Sequence, residues 1–100
     1  MTDQARSILV VDDDEDICEN MADIFADLGY AVDIAHEGAK ALEFVGRRPY
    51  DVALVDMKMP GMDGVTLCRE IQRVRPGMVS LLVTAYAGGD TARELSLIHI

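Results

Sequence analysis

The sequence predicts an α/β domain built on a doubly wound parallel sheet. Short aliphatic runs bounded by turn residues read as buried strands. Amphipathic segments lie between them, and the two kinds alternate strand, helix, strand, helix along the chain. That rhythm implies right-handed crossovers between parallel strands.

Taken in order, residues 7–11 form the first strand, with Ile8-Leu9-Val10-Val11 at its heart. Five acids follow, Asp12-Asp13-Asp14-Glu15-Asp16. Asp14 suits a helix cap, and Glu15 and Asp16 suit the first turn, where the macrodipole favours negative charge. Asp12 and Asp13 are left over at the end of the strand. In the first helix Ile17, Met21, Ile24, Phe25 and Leu28 recur at three- and four-residue intervals, predicting one apolar stripe closed by Gly29. Residues 30–35 form the second strand, Val32 and Ile34 alternating with Asp33. A helix over 38–45 turns Ala41, Leu42 and Val45 inward, closes at Gly46 and is stopped by Pro49.

The third strand, 52–55, runs into a single acid, Asp56, and then into a loop of Pro, Gly and Met. Asp63 caps a third helix with the stripe Leu67, Cys68, Ile71 and Val74, which Pro76-Gly77 ends. Residues 78–83 form the fourth strand, ending at Thr84, and Asp90 is expected to cap a fourth helix through Leu95.

Three of the four strands thus end in groups with chemical use: Asp12 and Asp13, Asp56, and Thr84. In a sheet of order 2-1-3-4-5 the first and third strands are neighbours at the switch point, where open α/β sheets bind ligands. The acids then converge, with Thr84 next door. Two unit charges about 4 Å apart repel by roughly 4 kcal/mol at an effective dielectric near 20. Such a group either binds a proton or holds a cation. Strand-end oxygens open to water suit Mg2+, and a central Asp56 suits nucleophilic attack on a phosphoryl group.

Composition narrows the choice. Eighteen acids against nine bases give a net charge of −9, which argues against nucleic-acid binding. There is no apolar run of membrane-spanning length and no signal-peptide core, so a cytoplasmic location is expected. Cys18 and Cys68 are far apart and read as core thiols of a reducing compartment. His36 reads as an isolated surface residue, and Arg47, Arg48, Arg69, Arg73 and Arg75 as solvated helix faces.

Together, Ile8 to Asp16, the run Asp56-Met57-Lys58-Met59-Pro60-Gly61-Met62-Asp63-Gly64, and Val83-Thr84-Ala85 resemble a two-component response-regulator receiver domain with a flavodoxin-like fold. The resemblance covers residues 1–94. It implies that Asp56 is the phosphoacceptor for a histidine kinase or phosphotransfer protein. It implies Mg2+ organised by Asp12, Asp13 and Asp56, with the backbone carbonyl of Lys58 helping, and Thr84 as a switch hydroxyl. Such a domain is not an enzyme acting on a separate substrate; it catalyses its own phosphoryl transfer and hydrolysis. Lys58 and Tyr86 occupy positions where that family varies to tune phosphoryl lifetime.

Four of the family's five strands are expected here. The fifth strand, with its Lys, and the fifth helix are expected to be missing from these 100 residues, and the output domain would lie beyond them. Residues 95–100 resemble a translated sequencing adapter and are expected to be a non-native tail. An unpaired fourth strand and a bare sheet face should leave the chain weakly folded or prone to association. In the intact protein, dimerisation would use the side of the fourth helix.

Two rival readings are a haloacid-dehalogenase-type phosphatase and a receiver-like interaction domain that is never phosphorylated. The first starts from Asp12 and Asp14, but Asp16 stands where that family wants Thr or Val, and Asp56 is left without a role. An EF-hand fails because Ile17 replaces the required Gly.

Overall fold

The computed structural model describes residues 6–57, 61–87 and 93–99, with side chains as far as Val83. Strand β1 (Ser7–Val11) lies between β2 (Ala31–Ala35) and β3 (Val52–Asp56), and β4 (Val79–Ala87) follows β3. These four are parallel. A further strand, β5 (Arg93–His99), runs antiparallel to β4 and completes the order β2-β1-β3-β4-β5.

Helix α1 (Glu15–Asp27) covers one sheet face, and α2 (Gly38–Arg47) and α3 (Gly64–Val74) cover the other. The two-residue period of the strands divides the core accordingly. Leu9, Val11, Ala53, Val55 and Leu82 pack with Ala41, Val45, Leu67 and Ile71. Ile8, Val10, Leu54 and Val83 pack with Cys18, Met21 and Phe25. Beside α1, Ile8, Met21, Phe25, Val52, Leu54 and Leu81 line a recess of about 330 Å³.

The caps explain where the helices begin. Asp14 Oδ1 accepts from the backbone N–H of Asp16 at 2.9 Å and of Ile17 at 3.1 Å. Asp63 Oδ1 accepts from Thr66 N–H at 2.8 Å, a bond that also lowers the pKa of its carboxyl. Gly29 takes φ +94° beyond α1, a left-handed turn that favours glycine.

Several expectations need correction. Ile24 and Leu28 are 58% and 68% exposed, because the inward face of α1 is centred on buried Cys18 with Met21 and Phe25. Val74 is likewise exposed at the end of α3. Helix α2 continues through Gly46 to Arg47. Strand β4 extends beyond Thr84 to Ala87.

The fourth helix expected through Leu95 is replaced over Arg93–His99 by β5, while Asp90 lies outside the described residues. The physical reason is the edge of β4, whose unpaired N–H and C=O groups are a template for any apolar segment within reach. Leu95, Leu97 and Ile98 supply such a segment, so β4 is not the bare edge expected.

Of the arginines expected on solvated helix faces, Arg47 and Arg73 pair with Glu43 and Glu70 on their own helices, while Arg48 and Arg75 reach other elements. Arg48 pairs with Asp33 on β2, stacks over the Tyr50 ring at 5.3 Å, and donates from Nε to the Tyr50 hydroxyl at 3.2 Å. Tyr50 in turn donates to Asp33 at 2.6 Å. Arg75 Nε donates to the Val45 carbonyl at 2.9 Å and so ties the end of α3 to the last turn of α2. Arg75→Ala is expected to cost about 1–2 kcal/mol, since a charged donor leaves a helix carbonyl unpaired. The check is a lower urea midpoint at an unchanged slope.

Candidate metal centre

Val11 pairs with Val55 in parallel register, and each is followed directly by an acid, Asp12 and Asp56. This pairing alone brings two carboxylates together at the carboxyl end of the sheet. Asp13 joins them from the connection to α1. One oxygen from each of Asp12, Asp13 and Asp56 lies within 4.8 Å of the other two. Asp12 is buried at 7% exposure, Asp56 is half-buried and Asp13 is exposed.

Asp12 is fixed from every side. Its N–H donates to the Ala35 carbonyl at 3.1 Å, extending the contact between β1 and β2 by one residue. Its Oδ1 accepts from Asp14 N–H at 3.0 Å. Its carbonyl accepts from the Cys18 thiol at 3.3 Å and lies 3.1 Å from His36 Nδ1. Neither His36 nor Cys18 was read from the sequence as part of a site. Nothing local marks them, because His36 meets Asp12 across a separation of 24 residues.

Burial, more than any other cause, raises the Asp12 carboxyl from 3.8 to about 6. The charges of Asp56 and Asp13 push the same way, and the Asp14 N–H opposes them. Burial, with the Asp12 charge behind it, likewise lifts the Cys18 thiol to about 11, so it stays protonated. Cys68 is also buried and raised, and both are free thiols, as expected of core cysteines.

Stability in the absence of metal should therefore depend on pH with a defined sign. The folded chain binds the Asp12 proton more tightly than the unfolded chain, so stability is greatest below pH 3.8 and falls as pH rises to about 6, as far as this group is concerned. About two pKa units correspond to about 3 kcal/mol. Urea midpoints measured across that window without divalent ions check the sign.

The donor set fits a hard divalent cation: three carboxylate oxygens, close together, with the exposed Asp13 open to water. The loop on the far side of Asp56 is anchored by Gly64 N–H donating to the Met57 carbonyl at 2.8 Å. Lys58, expected to contribute its carbonyl, lies outside the described residues. Thr84 stands on β4 one residue beyond Val83, the register partner of Asp56, and pairs with Ser96 of β5.

A doubly wound sheet with an acid cluster at its switch point is the frame, and comparison with known proteins identifies it. The family model for the response regulator receiver domain matches residues 8–98. A response regulator receiver protein of Anaeromyxobacter sp. (strain Fw109-5) is 40% identical over 85 residues, covering 85% of this chain and 36% of that protein. The transcriptional regulatory protein ZraR of Escherichia coli K12 is 38% identical over 94 residues, 94% of this chain and 21% of ZraR.

Among solved structures, a CheY-like receiver domain from Methanospirillum hungatei JF-1 aligns with a TM-score of 0.80 at 35% identity, covering 86% of this chain and 69% of that one. A response regulator from Burkholderia pseudomallei, solved with a phosphorylated aspartic acid, calcium ion and citrate, aligns with a TM-score of 0.77 at 30% identity, covering 87% and 51%. The chain belongs to the response regulator receiver domain family of two-component signalling. It spans from about a fifth to about a third of the length of these curated relatives, 21% of one and 36% of the other.

Proposed function

We propose that this chain accepts a phosphoryl group on Asp56 from a histidine kinase or phosphotransfer protein. The observation that carries the reading is the approach of the Asp12, Asp13 and Asp56 oxygens to within 4.8 Å at the sheet's carboxyl end. These acids would hold Mg2+, with the Lys58 carbonyl as a further oxygen. When bound, Mg2+ offsets negative charge around phosphoryl oxygens.

A carboxylate oxygen of Asp56 attacks phosphorus; the new P–O bond forms as the bond from phosphorus to the donor histidine nitrogen breaks. Thr84 then acts as the switch hydroxyl, donating to a phosphoryl oxygen and carrying its part of β4 with it. The phosphoaspartate brings about −1.5 to −2 charges to the site. That charge biases the surface around β4 toward one of two states. In the longer protein this change would pass to an output domain, as the greater length of ZraR suggests. Dimerisation through the fourth-helix side belongs to the same reading of the intact protein.

The chain works as a phosphoacceptor rather than as an enzyme on a separate substrate. The Burkholderia pseudomallei relative, with its phosphorylated aspartic acid and calcium ion, supports this reading. Among the described residues no helix is long and apolar enough to cross a membrane, in keeping with a cytoplasmic setting.

Intact-mass measurement after incubation with acetyl phosphate and Mg2+ tests the proposal. One added phosphoryl group is expected, absent in Asp56→Asn and absent when Mg2+ is withheld. No gain in the unaltered chain would instead favour the receiver-like domain that only binds partners.

A further inference from the structure

We propose that His36 is a positioning residue for Asp12, acting on the backbone carbonyl of that acid through its Nδ1–H. The inference rests on the reading of Asp12 as a metal-holding acid and extends it to a residue outside the acid cluster.

Three elements meet at one carbonyl oxygen. Asp12 follows β1 directly, Cys18 projects from α1, and His36 follows β2 directly. The His36 Nδ1 lies 3.1 Å from the Asp12 carbonyl oxygen, and the Cys18 sulfur lies 3.3 Å from it. A carbonyl oxygen only accepts, so Nδ1 must carry the proton in the neutral ring. A separation of 3.8 Å between Cys18 Sγ and His36 Nδ1 leaves room for both donors on the oxygen's two lone pairs.

The consequence lies in the Asp12 side chain. Its N–H is held by Ala35 and its carbonyl by His36 and Cys18, so the peptide planes on both sides of Asp12 are fixed. With Oδ1 accepting from Asp14 N–H, the carboxylate is held so that one of its oxygens lies within 4.8 Å of an oxygen of Asp13 and of Asp56. Without the His36 donor the carbonyl keeps only the thiol, a weak donor. The acid then samples more orientations, and a cation must order it on binding.

This differs from core packing, because His36 is exposed and belongs to neither apolar cluster of the core. Contacts that orient metal ligands typically change metal affinity by about 10- to 100-fold, and a contact through the backbone should act at the low end.

The test uses the full chain. Mg2+ affinity is measured by calorimetric titration for the unaltered protein, His36→Ala and His36→Asn, and the imidazole tautomer by nitrogen-15 NMR without metal. His36→Ala is expected to bind Mg2+ about 5- to 10-fold more weakly. His36→Asn, whose amide nitrogen falls near the place of Nδ1, is expected to restore affinity to within about twofold. The neutral ring is expected in the Nδ1–H form.

An unchanged affinity in His36→Ala, a failure of Asn to rescue, or an Nε2–H ring in the unaltered chain would each overturn the role of His36. Absence of Mg2+ binding by the unaltered chain would overturn the metal reading itself, and the inference with it. That titration comes first, so the two failures are told apart.

Discussion

Asp12→Asn is expected to make the metal-free chain more stable at neutral pH by about 1–3 kcal/mol while weakening Mg2+ binding by more than about tenfold. The two effects share one cause. Asp12 is 7% exposed, and its carboxyl sits near pKa 6 because burial first, and then Asp56 and Asp13, disfavour its charge. At neutral pH that charge is present and the fold bears the penalty. Asparagine keeps an acceptor for Asp14 N–H, and its amide can donate to the neighbouring carboxylates, so burial no longer opposes a charge. What it removes is the anionic oxygen a hard cation needs.

Urea unfolding with and without saturating Mg2+ separates the terms. The unaltered chain should gain stability from Mg2+ by about 1.4 kcal/mol for each tenfold excess over its Kd, and the variant should gain little. The pH dependence between 3.8 and about 6 should flatten in the variant, since the group that titrates there is gone. A variant less stable than its parent without metal would show that the Asp12 carboxylate helps the fold in its charged form. Stability set aside for function in this way is common where a site concentrates like charges.

The acid cluster was legible in the sequence because its geometry follows from register. Val11 and Val55 close two aliphatic runs, the runs pair in parallel, and the acids after them must then meet. Strand identity and cap residues are equally local, which is why Asp14 and Asp63 were found where they act. What the sequence concealed depends on partners brought from a distance.

His36 meets Asp12 only because β2 ends beside β1, and Arg75 reaches the Val45 carbonyl across 30 residues. Helical periodicity placed the stripe of α1 but not its centre: Ile24 and Leu28 carry apolar side chains, yet the sheet takes the face of Cys18, Met21 and Phe25. Arg93 to Leu95, read as the end of a helix, lie instead along β4, where the demand of a strand edge for partners overrides the local pattern.

Gly64→Ala is expected to destabilise the chain by about 1–3 kcal/mol and to slow phosphorylation of Asp56 by about 10- to 100-fold. Helix propensity alone argues the other way, because alanine is favoured over glycine within helices by about 1 kcal/mol. Close approach decides against it. A Cβ on Gly64 would stand 2.4 Å from the Asp56 carbonyl oxygen, 2.8 Å from Met57 Cα and 2.7 Å from Leu82 Cδ2. Two of these three atoms are backbone and cannot rotate away. The start of α3 must then withdraw, which strains the 2.8 Å bond from Gly64 N–H to the Met57 carbonyl and shifts the end of β3, where Asp56 sits.

Gly46→Ala supplies the control. Gly46 also lies in a helix, α2, but nothing stands within 4 Å of the added Cβ. There the propensity term acts alone, and a gain of about 0.5–1 kcal/mol is expected. Urea midpoints and acetyl-phosphate labelling rates of the two variants, compared side by side, check both halves. If both variants moved the same way, backbone entropy rather than the contact beneath Asp56 would govern Gly64. Opposite signs for one chemical change would place the effect in the junction of β3 and α3 that carries the acid.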